Sequence, residues 1–312
     1  MADKHLTFAG STVGEPWWTV GEIVAEVLKP FGYDVTVEAD AASHNNIPWV
    51  MDRRADIGVT TTRHFAAARD KKGVHAGSDL RDLRAIATLF RPSWMAIAIR
   101  RDLGITSLED LKARKHPVGV LAGGTERGGE LDVILGHYGL SIGEIESWGG
   151  HHYRWSGRME GPWVRQGLVD LMIGNIYVGY TPHGRYWYEG TVLQDMLFLD
   201  SDEALLDKLM TEFGYGRGKV PHGIFPGVDR DIPSVSQPDM TIYSRKELDP
   251  DLALLVARQL DERSELFSEA RSPLYYARKR VGHSTFLPLH PVVEEYYRSQ
   301  GYPVATPSPV SS

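Results

Sequence analysis

Short apolar runs alternate with amphipathic helical patterns through the first two hundred residues of the chain. Residues 5–9, 34–38 and 55–59 are typical of buried strands. After the first run, Pro16 begins a stretch whose apolar residues recur at helical spacing: Val20, Ile23, Val24, Val27 and Leu28. Because strands that alternate with helices build layered sheets, the pattern predicts an α/β fold with parallel strands.

The remaining sequence predicts further elements of both kinds. Strands are expected at residues 83–89, 94–100, 117–121, 168–173 and 240–244, and helices at residues 48–54 and from Pro250 onward. Ser107, with the carboxylate of Asp110 three residues later, resembles a capping box. Residues 214–238, rich in glycine and proline, are predicted to form the longest irregular region.

Two glycine-rich loops each follow a predicted strand and lead into a predicted helix. They are residues 10–14 (GSTVG) and residues 122–126 (AGGTE). Glycine lets a backbone approach a ligand closely, and the following helix presents free N–H groups and the positive end of its dipole. Two such loops on opposite sides of a cleft would hold a small anion. The alternative is that both are ordinary strand-to-helix turns.

Polar and aromatic side chains near these loops can complete a ligand site. Thr60 and Thr61 end a predicted strand, where ligands bind in open α/β sheets. The planar guanidinium of Arg127 suits a carboxylate, although an ion pair with Glu130 is the alternative. The tryptophans and Tyr177 favour a planar or bulky ligand. The predicted ligand-binding residues are Ser11, Thr12, Trp17, Trp18, His44, Asn45, Thr60, Thr61, Thr125, Glu126, Arg127, Asn175 and Tyr177.

Composition and motifs argue against several other classes of function. The net charge is -7 and no basic stripe appears, which argues against nucleic-acid binding. The chain has no cysteine, and its 12 histidines lack the spacing of a metal site, so we expect no metal and no cofactor. No run approaches 18 apolar residues, so no membrane insertion is expected. No nucleophile elbow, P-loop or dinucleotide fingerprint is present, and no catalytic residue is assigned.

Several motifs of the chain, in this order, resemble those of one known protein family. The family's first ligand loop is similar to Gly10-Ser11-Thr12, and its "exADlGi" strand is similar to residues 54–59 (RADIGV). Residues 225–235 (FPGVDRDIPSV) resemble "yPGqdeDvpTv". The C-terminal "plHPga.rYYrekG" resembles residues 288–291 (PLHP) with the Glu295-Tyr296-Tyr297 segment and Gly301. These two late motifs are interpreted as architectural. Together, the motifs resemble those of the TAXI family of TRAP-transporter solute-binding proteins.

The resemblance implies a two-lobed, type II periplasmic-binding-protein-like fold with two β-strand crossovers that form a hinge. The crossovers are placed near residues 94–100 and 240–244, so residues 1–96 and 241–312 would form lobe 1, and residues 97–240 would form lobe 2. The ligand cleft would lie between the lobes. Departures from the family occur at residues 42–46 (ASHNN) and after Arg127, so the resemblance does not identify the ligand.

Three functions remain open on the sequence. The first is a solute-binding protein that captures a small organic anion, a carboxylate, by hinge closure. It would deliver this ligand to TRAP membrane subunits if the protein is exported. The second is a decarboxylase or lyase acting on a small acid on the same fold, and the third is a cytoplasmic metabolite sensor. Residues 1–4 (MADK) lead directly into a predicted strand without the regions of a secretory leader. The expected location is cytoplasmic as the sequence stands, and periplasmic if a leader was removed.

Overall fold

The computed structural model describes residues 4–39, 43–122, 129–154, 160–178, 184–237, 239–270 and 274–305. The chain divides into two compact units. Unit 1 contains residues 1–91 and 238–312, and unit 2 contains residues 92–237. The two strands expected to cross between lobes each lie within one unit: the first in unit 2, the second in unit 1.

The strands are β1 (Lys4–Ala9), β2 (Tyr33–Glu38), β3 (Ile57–Thr61), β4 (Leu83–Leu89), β5 (Ser93–Arg100), β6 (Gly119–Ala122), β7 (His151–Arg154), β8 (Leu171–Tyr177), β9 (Met196–Phe198), β10 (Gly216–Val220), β11 (Ile232–Ser236) and β12 (Met240–Arg245). The α-helices are α1 (Pro16–Leu28), α2 (Asn46–Met51), α3 (Thr62–Arg69), α4 (Leu108–Arg114), α5 (Glu130–His137), α6 (Ile142–Ser147), α7 (Glu160–Arg165), α8 (Arg185–Leu193), α9 (Glu203–Phe213), α10 (Pro250–Glu262), α11 (Glu265–Glu269) and α12 (Pro291–Ser299).

In unit 1, the described strands form a sheet in the order β2-β1-β3-β12-β4. Strands β1, β2 and β3 pair in parallel, whereas β12 is antiparallel to both β3 and β4. Strands β3 and β4 therefore run in the same direction. As a result, the carboxyl ends of β1, β3 and β4 and the start of β12 share one edge of the sheet. The predicted α/β class with parallel strands is confirmed.

Helix α1 forms where the sequence predicts it, because proline suits the first helical position and one face is apolar. Gly21 lies on the buried face of this helix, where it crosses the sheet. A Cβ atom at Gly21 would lie 2.6 Å from Cγ1 of Val37 and 2.8 Å from Cδ1 of Phe8. Only a residue without a side chain allows α1 to approach β1 and β2 this closely.

The C-terminal motif contributes to the core of unit 1, in agreement with its architectural interpretation. His290 is buried and precedes α12, and its backbone N–H donates to the carbonyl of Ala85 at 2.9 Å. Burial lowers the pKa of His290, which favours the neutral ring. The buried carboxylate of Asp261 accepts from the hydroxyl of Tyr296 at 2.9 Å and from Nε of Arg278 at 2.9 Å. Hydrogen bonds of this motif therefore connect α12 and the residue before it to β4 and α10.

In unit 2, the described strands form the order β10-β11-β5-β8-β6-β7, and β9 pairs with β5. Strand β6 is parallel to β7 and β8, whereas β5 is antiparallel to β8. The prediction of an irregular region at residues 214–238 is wrong, since β10 and β11 form an antiparallel ladder there. Residue propensities do not predict these two strands, because glycine and proline are unusual within strands. Strand β10 contains Gly216 and Gly218, and β11 contains Pro233.

Three smaller predictions also need correction. The helix expected at residues 48–54 is α2, which begins at Asn46 and ends at Met51. The strand expected at residues 168–173 is β8, which extends to Tyr177. At the predicted capping box, Ser107 accepts from the N–H of Asp110 at 3.1 Å, but the Asp110 carboxylate accepts from the N–H of Thr106 instead of Ser107. Within the described ranges, no helix has the length and apolar character needed to cross a bilayer.

Candidate functional site

The first glycine-rich loop joins the carboxyl end of β1 to α1. Gly10 allows close packing, because a Cβ atom there would lie 2.9 Å from Cγ1 of Val37. Gly14 has a φ of 86°, in the left-handed region that favours glycine. Ser11 is 8% exposed, and Thr12 is exposed. The side chain of Glu15, which precedes α1, makes no capping hydrogen bond to the first turn of the helix.

Asn46 fixes the position of this loop. Its side-chain amide donates to the carbonyl oxygens of Ala9 at 3.1 Å, Gly10 at 2.9 Å and Val59 at 2.8 Å. The residue is fully buried, and its Oδ1 has no hydrogen-bond partner within the described part of the chain. One amide group thus joins the ends of β1 and β3 and the start of the loop, which holds the edge of the sheet in a defined geometry.

Three threonines lie side by side across β3, β12 and β4, one position from the edge. Thr60 is opposite Thr241, and Thr241 is opposite Thr88, so all three point to the same face of the sheet. All are almost completely buried. The hydroxyls of Thr60 and Thr88 have no hydrogen-bond partner among the residues described. Thr61, predicted as a ligand residue with Thr60, is 7% exposed and lies at the end of β3.

The two tryptophans of α1 have different surroundings. Trp17 packs against the core of unit 1, and the guanidinium carbon of Arg91 lies 5.6 Å from the centre of its ring. Trp18 instead lines a groove of about 620 Å³ between α1 and β2, together with Glu22, Tyr33 and other residues of these two elements. Of these two tryptophans, Trp17 is therefore the one that contacts Arg91, which follows β4 at the carboxyl edge of the sheet.

Three histidines of unit 1 influence one another. His44 is exposed in a short 3-10 turn before α2, and Asn45 beside it is half-buried. The rings of His64 and His75 lie 5.5 Å apart. Burial, with Arg63, His75 and His44 nearby, lowers the pKa of His64 to about 3. Burial also lowers the pKa of His75. In the described ranges, no group of three or more acidic or histidine side chains is arranged to hold a metal ion.

In unit 2, β8 places two of the predicted residues. Asn175 donates to the hydroxyl of Tyr215 at 3.4 Å, and that hydroxyl donates to Glu130 at 3.3 Å. This chain of polar groups connects β8 to the first residue of α5. Tyr177 is buried at the end of β8. Thr125, Glu126 and Arg127 of the second glycine-rich loop lie outside the described residues.

Two residues of this edge were not predicted as part of the site. Asn46 is adjacent to the predicted Asn45, but nothing in the sequence distinguishes which amide turns inward. The position of Arg91 could have been recognised in the sequence, because it lies just after a predicted apolar strand and before Pro92. A residue at that position is expected at the carboxyl edge of the sheet. The contact of Arg91 with Trp17 joins positions 74 residues apart (91 minus 17) in sequence, which no local pattern reveals.

Comparison with known proteins finds a family model that matches part of the chain. Residues 8–154, from β1 to β7, match the model of the NMT1-like family. No curated protein matches the sequence. The TAXI assignment stays a prediction from the motifs.

Among solved structures, the chain is similar to three bacterial binding proteins at low identity. The first is MatC from Rhodopseudomonas palustris with bound malate, at 13% identity and a TM-score of 0.49, covering 96% of this chain and 97% of that chain. The second is a TctC solute-binding protein from Polaromonas, at 13% identity and a TM-score of 0.47, covering 88% and 91%. The third is the alkanesulfonate-binding protein SsuA from Xanthomonas axonopodis pv. citri bound to MOPS, at 14% identity and a TM-score of 0.40, covering 95% and 83%.

Proposed function

We propose that this protein is a solute-binding protein that captures a small organic anion, a carboxylate, at the carboxyl edge of the unit 1 sheet. The observation that carries the proposal is the start of α1. A helix of 13 residues begins there directly after a glycine-rich loop, without a side-chain cap. The free N–H groups of its first turn and the helix dipole together favour a negative group.

The surroundings of this helix start support the same chemistry. Hydroxyl groups of Ser11, Thr12 and Thr61 lie at the same edge, and each can donate to a carboxylate oxygen. The amide of Asn46 fixes the loop before any ligand arrives, and such preorganisation reduces the ordering cost of binding. The match of residues 8–154 to the NMT1-like family includes all of these residues.

The sequence motifs further favour the TAXI type of TRAP receptor within this class. On that assignment, the partners would be the membrane subunits of a TRAP transporter. Closure of two lobes around the ligand, with Thr125 and Arg127 contributing from the second loop, remains a prediction of the resemblance.

The test is a calorimetric titration with matched pairs of small ligands. Malate, succinate and benzoate would be compared with malamide, succinamide and benzamide, which have similar shape but lack a carboxylate. We expect at least one acid to bind and its amide to bind far more weakly. Recovery of that acid by mass spectrometry, chemically unchanged after hours, would support a receptor. A decarboxylated or cleaved product would instead make the protein an enzyme, and equal binding of acid and amide would contradict anion capture.

A further inference from the structure

We propose that unit 1 binds a hydroxy acid, and that the side chains of Asn46 and Thr60 hold the hydroxyl group of this ligand next to its carboxylate. This inference rests on the proposed function and deepens it, because it names the class of acid. The basis is a pair of fully buried polar atoms, the amide oxygen Oδ1 of Asn46 and the hydroxyl of Thr60. Neither atom has a hydrogen-bond partner within the described part of the chain.

The hydrogen bonds of Asn46 fix which end of its amide is left over. Its Nδ2 donates to the carbonyl oxygens of Gly10 at 2.9 Å and Val59 at 2.8 Å. Only the NH₂ group can make these bonds, because a flipped amide would turn an oxygen toward carbonyl oxygens. Oδ1 and Nδ2 are bonded to the same carbon, so they lie at most about 2.6 Å apart. The unpaired acceptor is therefore beside the loop that leads into α1.

Thr60 adjoins the same amide. The carbonyl of Val59 that accepts from Asn46 belongs to the peptide bond between Val59 and Thr60. The two unpaired atoms are not bonded to each other, since neither has a partner among the described residues. Thr88 lies two strands from Thr60, about 10 Å away by the spacing of strands, so it is too far to bond the same small group. Asn46 and Thr60 thus form one local pair near the end of β3.

The chemistry of this pair selects a hydroxyl group. An amide oxygen can only accept a hydrogen bond, whereas a threonine hydroxyl can donate or accept. A group that satisfies both must therefore donate, which an ionised carboxylate cannot do at neutral pH. An alcohol can donate to Oδ1 of Asn46 and accept from Thr60. An ammonium group could also donate, but moving its charge out of water beside two neutral groups is unfavourable.

The place of the pair fits the anion site of the proposed function. Gly10, whose carbonyl accepts from Asn46, belongs to the loop that continues into α1 at Pro16. Because both subsites share this loop, we expect the carboxylate and the hydroxyl to be attached to neighbouring carbons, as in a 2-hydroxy acid. An acid without the hydroxyl would leave two buried polar groups unpaired, which is unfavourable.

The experiment compares 2-hydroxy acids with acids that lack only the hydroxyl: lactate with propionate, malate with succinate, and mandelate with phenylacetate. Dissociation constants are measured by calorimetry for wild type, Thr60→Val, Thr60→Ser and Thr191→Val. We expect wild type to bind the best hydroxy acid about 10- to 100-fold more tightly than its counterpart. Thr60→Val should weaken binding of the hydroxy acid about tenfold and leave binding of its counterpart nearly unchanged.

Two variants serve as controls. Thr60→Ser keeps the hydroxyl and should keep the preference for the hydroxy acid. Thr191→Val makes the valine change in α8 of unit 2, where the buried hydroxyl donates to the carbonyl of Trp187 at 2.9 Å. This control should lose stability in urea and bind every acid as wild type does. Thr60→Val should not lose stability, because the hydroxyl that it removes has no partner among the described residues.

The outcomes separate this inference from the proposed function. If wild type binds acids without preferring the hydroxy acid, anion capture stands and the inference is wrong. If wild type binds no acid, the proposed function fails, and this inference fails with it. If Thr60→Val keeps the preference, Thr60 does not bind the ligand, and a simultaneous loss of stability would assign its hydroxyl to an internal water. Should Thr60→Val not fold, as judged by circular dichroism, the decision passes to Thr60→Ala, for which an undiminished preference would overturn the proposal.

Discussion

The hydroxyl of Tyr297 in α12 donates a hydrogen bond of 2.9 Å to the carbonyl oxygen of Ile86 in β4. Both residues are fully buried, and the same hydroxyl lies 3.4 Å from that of Tyr276. Tyr297 belongs to the C-terminal segment that resembles a family motif. Its hydrogen bond thus connects α12 to strand β4 of the unit 1 sheet.

Removal of this hydroxyl should destabilise unit 1. In Tyr297→Phe, the carbonyl of Ile86 would be left buried without its partner, so we expect the free energy of unfolding to fall by about 1–3 kcal/mol. The measurement is urea unfolding followed by circular dichroism. Tyr33→Phe is the control, because the hydroxyl of Tyr33 has no hydrogen bond to the described residues and the ring is only partly buried. Equal losses in both variants would refute a specific role for the bond.

The amide of Asn46 should matter more than its small size suggests. Asn46→Ala leaves the carbonyls of Ala9, Gly10 and Val59 without their shared donor, and we expect a loss of roughly 2–4 kcal/mol in unfolding free energy. The adjacent Asn45→Ala is the control and should change stability by less than about 0.5 kcal/mol. Chemical denaturation of both variants decides the matter. A neutral Asn46→Ala would mean that the loop holds its shape without this amide.

Gly21 should tolerate no side chain. Gly21→Ala forces a Cβ atom against Val37 and Phe8, so either α1 or β2 must shift, and we expect a loss of about 1–3 kcal/mol. Gly77 provides the comparison, because no atom lies within 4 Å of a Cβ placed there and its φ is not positive. Gly77→Ala should be neutral or stabilise by up to about 1 kcal/mol. Thermal unfolding of the two variants tests the contrast, and a stable Gly21→Ala would speak against the close helix packing.

The stability of unit 1 should decrease as the pH falls below about 6.5. The pKa of His64 is about 3 in the folded protein and near 6.5 in an unfolded chain. Between these values the unfolded state binds more protons, so lowering the pH favours unfolding. For His64 alone, the expected loss on going from pH 8 to pH 5 is about 2 kcal/mol, with His75 adding in the same direction.

His64→Gln measures this contribution directly. The variant lacks the titrating ring, so its stability should depend less on pH over the same interval. Urea unfolding of both proteins at pH 8 and pH 5 gives the comparison. His5→Gln is the control, since His5 is exposed and pairs with the exposed Asp34 at the surface. An identical pH dependence in wild type and His64→Gln would exclude His64 as the source.

The local pattern predicted β1, α1, β4, β12 and α10 close to their observed bounds. Each has a strong apolar period and an end signal next to it, such as Pro16 for α1 and Asp249-Pro250 for α10. It failed at β10 and β11, where the strands are supported by pairing with each other and not by residue propensity. It also placed the first glycine-rich loop after β1 and Thr60 and Thr61 at the end of β3, because strand ends and glycine loops are visible locally. Their role in ligand binding stays a prediction.

By itself, the sequence determined the fold class and the position of a glycine-rich loop between β1 and α1, because hydrophobic periodicity and backbone preferences are properties of neighbouring residues. Only the tertiary structure decided which side chains meet at the sheet edge. Asn46 turns inward to three carbonyls, Trp18 lines a separate groove, and Arg91 packs against Trp17. These contacts join residues distant in the chain, and they depend on strand order and on the faces that each element presents. The pattern of residues along the chain contains neither the strand order nor the orientation of these faces.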